Sequence, residues 1–78
     1  MNSIEAKSLI IDVLSSIAPE ADYTGLPGNA QLRDELDLDS MDFLNFIAEL
    51  HERTHINIPE ADYPKLSTLD GAASYICR

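Results

Sequence analysis

Apolar residues recur at helical spacing along most of this chain, and no segment alternates with a period of two as a strand would. The repeat is clearest over residues 40–54. One narrow face of that segment carries Phe43, Phe46, Ile47, Leu50 and Thr54. Asp39 is a suitable N-cap, and Asp42 adds negative charge to the first turn, where the helix dipole favours it. The pattern therefore predicts a helix that begins at about Ser40 and turns one stripe toward a core.

Two further helices are predicted nearer the ends of the chain. The first is closed by Pro19 and has Asn2 or Ser3 as its cap. Its apolar positions are Ile4, Leu9, Ile10, Val13, Leu14 and Ile17. The last begins near Ser67, where Ser-Thr-Leu-Asp at 67–70 resembles a capping box with aspartate in place of glutamate. Its inward residues are predicted to be Leu69, Ala72, Ala73 and Ile76.

The connection after the first helix is long and contains Gly25, Pro27 and Gly28, which predicts a loop. The leucines expected to pin this loop to the core are Leu26, Leu32, Leu36 and Leu38. Asn29 is a candidate cap for a short helical turn within it. Another short helix is expected over residues 60–63, before Pro64. The predicted fold is therefore all-α: a small bundle of three main helices plus one short helix, with a long loop between the first two main helices.

The length and cysteine content favour one domain, residues 1–78, in a reducing compartment. The chain is 45% hydrophobic, which is enough for a compact helical core. Its single cysteine, Cys77, cannot form an intrachain disulfide, so the expected location is cytoplasmic. No signal peptide or bilayer-spanning apolar stretch is present in the sequence, so we expect a soluble monomer that is not inserted in a membrane.

Negative charge dominates the chain, with fourteen acidic residues against five Lys and Arg and a net charge of −9. This sign disfavours binding to nucleic acid, which attracts basic proteins. Half of the acids lie between positions 34 and 52: Asp34, Glu35, Asp37, Asp39, Asp42, Glu49 and Glu52. Such a cluster is either a solvated acidic face or a docking surface for basic partners.

A second apolar stripe runs along the helix predicted over 40–54. It consists of Met41, Leu44 and Ala48, more than a quarter turn from the first stripe. These residues either widen the core or form an exposed hydrophobic strip bordered by acids, which is a common way to recognise a partner. Periodicity alone leaves both interpretations open.

Ser40 is the first residue of this predicted helix, where free backbone amides and the dipole favour a phosphate group. The preceding and following residues, Leu-Asp-Leu-Asp-Ser-Met-Asp at 36–42, resemble the attachment motif of acyl carrier proteins, in which the serine after aspartate receives 4′-phosphopantetheine. Ile58-Pro59, the Leu-Ser-Thr-Leu at 66–69 and the Ala-Ala-Ser-Tyr-Ile at 72–76 also lie at the family's spacing from the serine. The resemblance covers the whole chain.

The resemblance implies a non-catalytic carrier. A phosphopantetheinyl transferase, with a magnesium ion, would move the arm from coenzyme A onto Ser40, with Asp39 as part of the attachment motif. Acyl groups would then be carried as thioesters on the thiol of the arm and presented to enzymes of fatty-acid, lipid or polyketide synthesis. These synthases and transferases would dock through basic patches.

The family's pattern also assigns roles along the helix after the serine. By this resemblance, the acids that would supply charge for docking are Asp39, Asp42, Glu49 and Glu52. The apolar docking contacts would be Met41, Leu44 and Ala48. The core pocket that shelters an acyl chain would be lined by Phe43 and Phe46, with Ile47 and Leu50 beside them.

The chain departs from the housekeeping fatty-acid carriers at several positions. Asp37 stands where those carriers usually have glycine, and Asn45 where they usually have glutamate. His51 and Arg53 interrupt the acidic end of the helix, and Tyr-Pro at 63–64 replaces a more helical stretch. These departures concern the choice of partners, so both a general and a specialised carrier remain open.

Other interpretations compete with the carrier hypothesis. His-Glu-Arg-Thr-His at 51–55 matches the helical zinc motif of metalloproteases, but so short a chain leaves little room for a third ligand and a cleft. The acids from Asp37 begin like a calcium loop, yet Met41 occupies a ligand position, so no metal site is expected. Ser40 and His51 lie too far apart on one helix to form a hydrolase site. The remaining alternatives are a D-alanyl or aminoacyl carrier and an unmodified acidic interaction module.

Overall fold

Helices form almost all the regular structure of this protein, whose computed structural model describes residues 1–77. The α-helices are α1 (Ser3–Ile17), α2 (Leu32–Glu35), α3 (Ser40–Thr54) and α4 (Leu69–Ile76), and a 3-10 helix spans Glu60–Leu66. Residues 1–77 contain no strand, only an isolated antiparallel bridge between Gln31 and Thr68. The predicted all-α fold is confirmed, with three main helices and a long first connection. None of the helices within these residues combines the length and apolar character that crossing a bilayer requires.

The cap of α1 is Asn2, one of the two predicted candidates. Its side chain accepts a hydrogen bond from the Glu5 amide at 2.8 Å, and the Glu5 carboxylate accepts one from the Asn2 amide at 3.3 Å. This reciprocal pair is a capping box. The core face of α1 consists of Ala6, Ile10, Val13 and Leu14. Ile4 follows the same apolar repeat but is 79% exposed, since it lies in the first turn, off the packed face.

The long connection between α1 and α3 is held by leucines, as predicted. Leu32, Leu36 and Leu38 are buried and Leu26 is half-buried. Asn29, however, does not cap a helix: it lies in a turn that the Ala30 amide closes on the Pro27 carbonyl, and α2 begins later, after Gln31, with no side-chain cap. The burial of Leu32, rather than a capping side chain, places this short helix.

Asp37 makes the sharp turn that joins α2 to α3. Its φ is 53°, in the left-handed region, and the Leu38 amide donates to the Arg33 carbonyl at 2.9 Å. This is the six-to-one hydrogen bond of a Schellman helix end. Aspartate tolerates the left-handed conformation better than most residues, which explains how it replaces a glycine here. The turn brings Ser40 back beside α2.

The 3-10 helix is longer than the short helix predicted over 60–63, and it continues through Pro64 to Leu66. Proline lacks only the amide donor, and the Pro64 carbonyl still accepts from the Ser67 amide at 3.3 Å. Burial of Leu66 at the end of the segment favours its continuation. The Tyr75 hydroxyl donates to Asp62 at 2.7 Å and thereby ties this helix to α4.

The cap of α4 is Thr68, one residue after the predicted Ser67. The Thr68 hydroxyl accepts from the Gly71 amide at 2.9 Å, and Thr68 has the extended backbone of an N-cap. Ser67 has a helical backbone instead, and its carbonyl accepts from the Leu32 amide at 2.8 Å. The predicted capping box with Asp70 was therefore wrong, because Ser67 is the C-cap of the preceding helix. The inward residues of α4 are as predicted.

Gly71 lies where α4 meets the 3-10 helix, and we predict that Gly71→Ala destabilises the fold by about 2 kcal/mol. Alanine in a helix is favoured over glycine by about 1 kcal/mol. An added Cβ, however, would lie 2.4 Å from the Lys65 carbonyl oxygen and 2.9 Å from the Thr68 hydroxyl. The Lys65 atom belongs to the backbone, so the two helices would have to separate.

Urea denaturation of the purified variant measures this effect. Ser74→Ala is the matched control, because Ser74 is exposed on the same helix and its replacement should raise stability by a few tenths of a kcal/mol. If Gly71→Ala were also stabilising, the close packing of α4 on the 3-10 helix would be contradicted.

Candidate functional site

Ser40 is the first residue of α3, and it is exposed. The two residues of a capping box flank it in the chain: the Asp39 carboxylate accepts from the Asp42 amide at 2.8 Å, and the Asp42 carboxylate accepts from the Asp39 amide at 3.4 Å. Both predicted roles, the cap and the acidic first turn, are confirmed. The serine hydroxyl is therefore held at a defined, accessible helix end.

This helix end leaves backbone donors next to the hydroxyl. The first intrahelical bond of α3 runs from the Phe43 amide to the Asp39 carbonyl at 3.0 Å. With the amides of Asp39 and Asp42 engaged in the capping box, those of Ser40 and Met41 are the open donors of the first turn. Amides at a helix N-terminus favour a bound phosphate.

Four of the five residues of the predicted core stripe of α3 are buried, and the fifth, Thr54, is half-buried. Phe46 and Leu50 are fully buried, and Phe43 and Ile47 nearly so. The Phe43 ring lies 5.9 Å from that of Phe46 and 6.3 Å from that of Tyr63, both distances being between centroids. Phe43 therefore bridges the core of the bundle and the 3-10 helix. That these residues shelter an acyl chain stays a prediction.

Two shallow apolar grooves flank Leu44, between α3 and the 3-10 helix. The first begins at Ser40 and is lined also by Phe43, Tyr63 and Pro64. The second continues past Leu44 along Ile47 and Ala48 to Ile58 and Pro59. A flexible chain attached at Ser40 has this apolar path directly beside it.

The second stripe of α3 faces solvent, which resolves the two interpretations left open by the sequence. Met41 is 65% exposed and Leu44 46% exposed, and Ala48 is exposed as well. None of the three widens the core. Exposed large apolar residues so close to Ser40 form a strip that a partner can cover.

The acids predicted for docking differ in their surroundings. Asp42 is half-buried in the capping box, whereas Glu52 is exposed. Glu49 accepts a hydrogen bond from Arg53 at 3.0 Å, and the same guanidinium donates to Asp12 of α1. These bonds, to Asp12 first and then to Glu49, raise the pKa of Arg53. Arg53, one of the residues that distinguish this chain from the housekeeping carriers, thus neutralises part of the acidic face and links α3 to α1.

The two histidines of the zinc-motif match do not share a helical face. His55 ends α3 as its C-cap with a left-handed φ of 58°, and only His51 lies within the helix. His51 Nδ1 lies 3.0 Å from the Ile56 carbonyl oxygen. Within residues 1–77 there is no group of three or more His, Cys, Asp or Glu side chains placed to hold a metal ion.

Arg33 lies at the site, although the sequence analysis did not single it out. Its Nη2 donates to the Ser40 hydroxyl oxygen at 3.3 Å. The two residues are seven positions apart and meet only because α2 forms and Asp37 reverses the chain. The available signal in the sequence was an arginine shortly before the motif serine. That signal does not predict a contact with Ser40 unless the position of α2 is known.

Comparisons with known proteins agree with this geometry. The family described as "phosphopantetheine attachment site" matches residues 7–76. An acyl carrier protein of Brachyspira hyodysenteriae is 34% identical over 86% of each chain. Another, of Rubrobacter xylanophilus, is 30% identical over 97% of this chain and 82% of its own. A third, of Lactobacillus acidophilus, is 33% identical over 73% of this chain and 71% of its own. The chain therefore belongs to the acyl carrier protein family, whose members bear 4′-phosphopantetheine.

Proposed function

We propose that this protein carries acyl groups as thioesters on a 4′-phosphopantetheine arm attached to Ser40, and that it has no catalytic activity of its own. The observation that carries the proposal is the exposed Ser40 hydroxyl at the capped N-terminus of α3, beside an apolar groove. The recipients we propose are synthases and transferases of fatty-acid, lipid or polyketide synthesis. The whole of 1–78 would act as one carrier domain in the cytoplasm, where coenzyme A is the source of the arm.

The residues present fit the attached group. Loading joins Ser40 Oγ to the phosphorus of phosphopantetheine, breaks a P–O bond of the coenzyme A pyrophosphate and releases 3′,5′-ADP. The serine proton goes to a base of the transferase. On this chain, the reciprocal bonds of Asp39 and Asp42 fix the first turn of α3, where Ser40 is exposed. The arm supplies the thiol chemistry, and the protein supplies presentation and recognition.

The proposal is tested by the intact mass of the purified protein after incubation with coenzyme A, magnesium and a promiscuous phosphopantetheinyl transferase. A gain of one phosphopantetheine per chain is expected. No gain in protein that is folded by circular dichroism would contradict the carrier role and favour an unmodified interaction module. Incubation with acyl-coenzyme A analogues in place of coenzyme A would test whether Ser40 also accepts an arm that already bears an acyl group.

We further propose a docking face on α3, made of Met41, Leu44 and Ala48 with the acids Asp42, Glu49 and Glu52. The apolar strip is exposed next to Ser40, and its acidic border complements a basic enzyme surface. Because Arg53 already pairs with Glu49, the strongest unpaired charge of this border is expected near Glu52. Docking here would orient Ser40 toward the active site of the partner.

Leu44→Ala should weaken docking with little effect on folding. Removing a central apolar contact from an interface commonly lowers affinity by about tenfold, so the KM of the transferase for the unmodified chain should rise by about that factor. The free energy of unfolding should change by less than about 0.5 kcal/mol, because the side chain is half exposed. Steady-state kinetics and urea denaturation give the two quantities.

Ile4→Ala is the matched control for this prediction. Ile4 is even more exposed than Leu44 but lies on α1, away from the docking face. Its replacement should leave the KM unchanged. An equal rise in both variants, or in neither, would argue against docking through α3.

A further inference from the structure

Most of the Lys and Arg side chains within residues 1–77 are paired with carboxylates. Of the four that lie within residues 1–77, Lys7 pairs with Asp70, Lys65 with Asp62, and Arg53 with two acids. Arg33 has no carboxylate within 4.0 Å in that part of the chain, although acids outnumber bases almost threefold. Its guanidinium contacts the hydroxyl of Ser40 instead.

The backbone fixes Arg33 in this position. The carbonyl of Arg33 accepts from the Leu38 amide in the turn that ends α2, and Leu32 and Leu38 on either side of this bond are buried. The base of the side chain is therefore anchored to the core, while the guanidinium remains exposed at one end of the groove that begins at Ser40.

A phosphodiester on Ser40 would enter a strongly negative region. Asp39 comes directly before Ser40 and Asp42 lies in the same first turn, and Asp37 is exposed in the preceding turn. The modification adds one further negative charge to a chain of net charge −9. Like charges repel one another, so a nearby cation would stabilise the attached state beyond what the open amides of the helix end contribute.

We propose that Arg33 is the residue that binds the phosphate of the attached arm, an inference that rests on the proposed function. The phosphorus would be bonded to the oxygen that Arg33 already contacts, so the two non-bridging oxygens would lie beside the guanidinium. Arginine presents five donors in a planar fork, and one suffices for the present contact. On loading, the guanidinium keeps its position and exchanges a neutral hydroxyl partner for an anion, which gives a stronger, charge-assisted bond. Arg33 thereby stabilises the loaded protein and fixes where the arm begins.

The test compares apo and holo protein for the wild type, Arg33→Gln and Arg53→Gln at low ionic strength. Arg53→Gln is the matched control: it removes the same single charge, but from a site near the other end of α3, about 20 Å along the helix from Ser40. Intact mass first establishes loading, and the thermal midpoint is then measured for each apo and holo pair. The holo-minus-apo difference in Tm should be more negative in Arg33→Gln than in the wild type by about 3 °C.

The holo-minus-apo difference in Tm should be the same in Arg53→Gln as in the wild type, although the apo and holo forms of this variant both have a lower Tm. The single ³¹P resonance of the holo protein should move in Arg33→Gln and stay in place in Arg53→Gln. Added salt should shrink the effect, because it screens exposed charges.

Failure of the two proposals can be told apart. Folded wild-type protein that gains no mass would overturn the proposed function and this inference with it. Loaded protein in which Arg33→Gln leaves both the Tm difference and the ³¹P resonance as in the wild type would overturn this inference alone.

Discussion

Replacing Ser40 with alanine should abolish loading completely, while the protein stays folded. The arm needs a hydroxyl oxygen at this position, and alanine offers no atom that can replace it. Ser40 is exposed and its side chain takes no part in the capping box, so the free energy of unfolding should change by less than about 0.5 kcal/mol. Intact mass after incubation with coenzyme A and the transferase gives a yes-or-no result.

Ser3 provides an internal control for this experiment. It is the first residue of α1 and is exposed, and Asn2 and Glu5 flank it with a capping box just as Asp39 and Asp42 flank Ser40. Ser3→Ala should be loaded as fully as the wild type, because recognition requires the acids and apolar residues of α3 as well as a capped serine. A mass gain that persists in Ser40→Ala would show that another hydroxyl is the attachment point.

Local chemistry explains why α3 could be predicted from the sequence. Asp39 and Asp42 cap the helix through contacts between residues three positions apart, and its apolar stripe repeats over about three turns. Both signals are contained in the segment itself, so no knowledge of the rest of the fold was needed. The position of Ser40 at an exposed helix end follows from the same two signals.

The elements predicted less well depend on distant residues. Ser67 resembles a helix N-cap in sequence, yet it is the C-cap of the 3-10 helix and its carbonyl accepts from the amide of Leu32. The end of that helix depends in turn on burial of Leu66 under α4. Such contacts cannot be predicted from the residues that are adjacent in the sequence.

The charge pairs of the site also could not be predicted from neighbouring residues in the sequence. Glu49 was predicted to supply charge for docking, and Arg53 pairs with it. The same guanidinium also pairs with Asp12, which lies 41 positions from Arg53 in the chain. Arg33 reaches Ser40 only through the turn at Asp37. A count of charges along the sequence gives the sign of the surface, whereas the pairing of those charges requires the folded structure.

Phe46→Ala should cause the largest loss of stability of any substitution considered for this chain. Phe46 is fully buried and its ring packs against that of Phe43. Truncation of a buried phenylalanine typically costs about 3–5 kcal/mol, from lost burial and the cavity left behind. A domain of this size has a total stability of about 4–12 kcal/mol, so the substitution is expected to remove a large share of it.

Urea denaturation followed by far-ultraviolet circular dichroism measures this loss, and Leu44→Ala is the control on the same helix. If Phe46→Ala is too unstable to purify, Ile47→Val tests the same stripe with an expected loss of about 0.5–1.5 kcal/mol. Comparable small losses for Phe46→Ala and Leu44→Ala would mean that the two stripes of α3 have been assigned to the wrong sides. A large loss for Phe46→Ala with a small loss for Leu44→Ala would establish that the two faces of α3 have different roles. One face packs in the core of the bundle, and the other remains available to a partner.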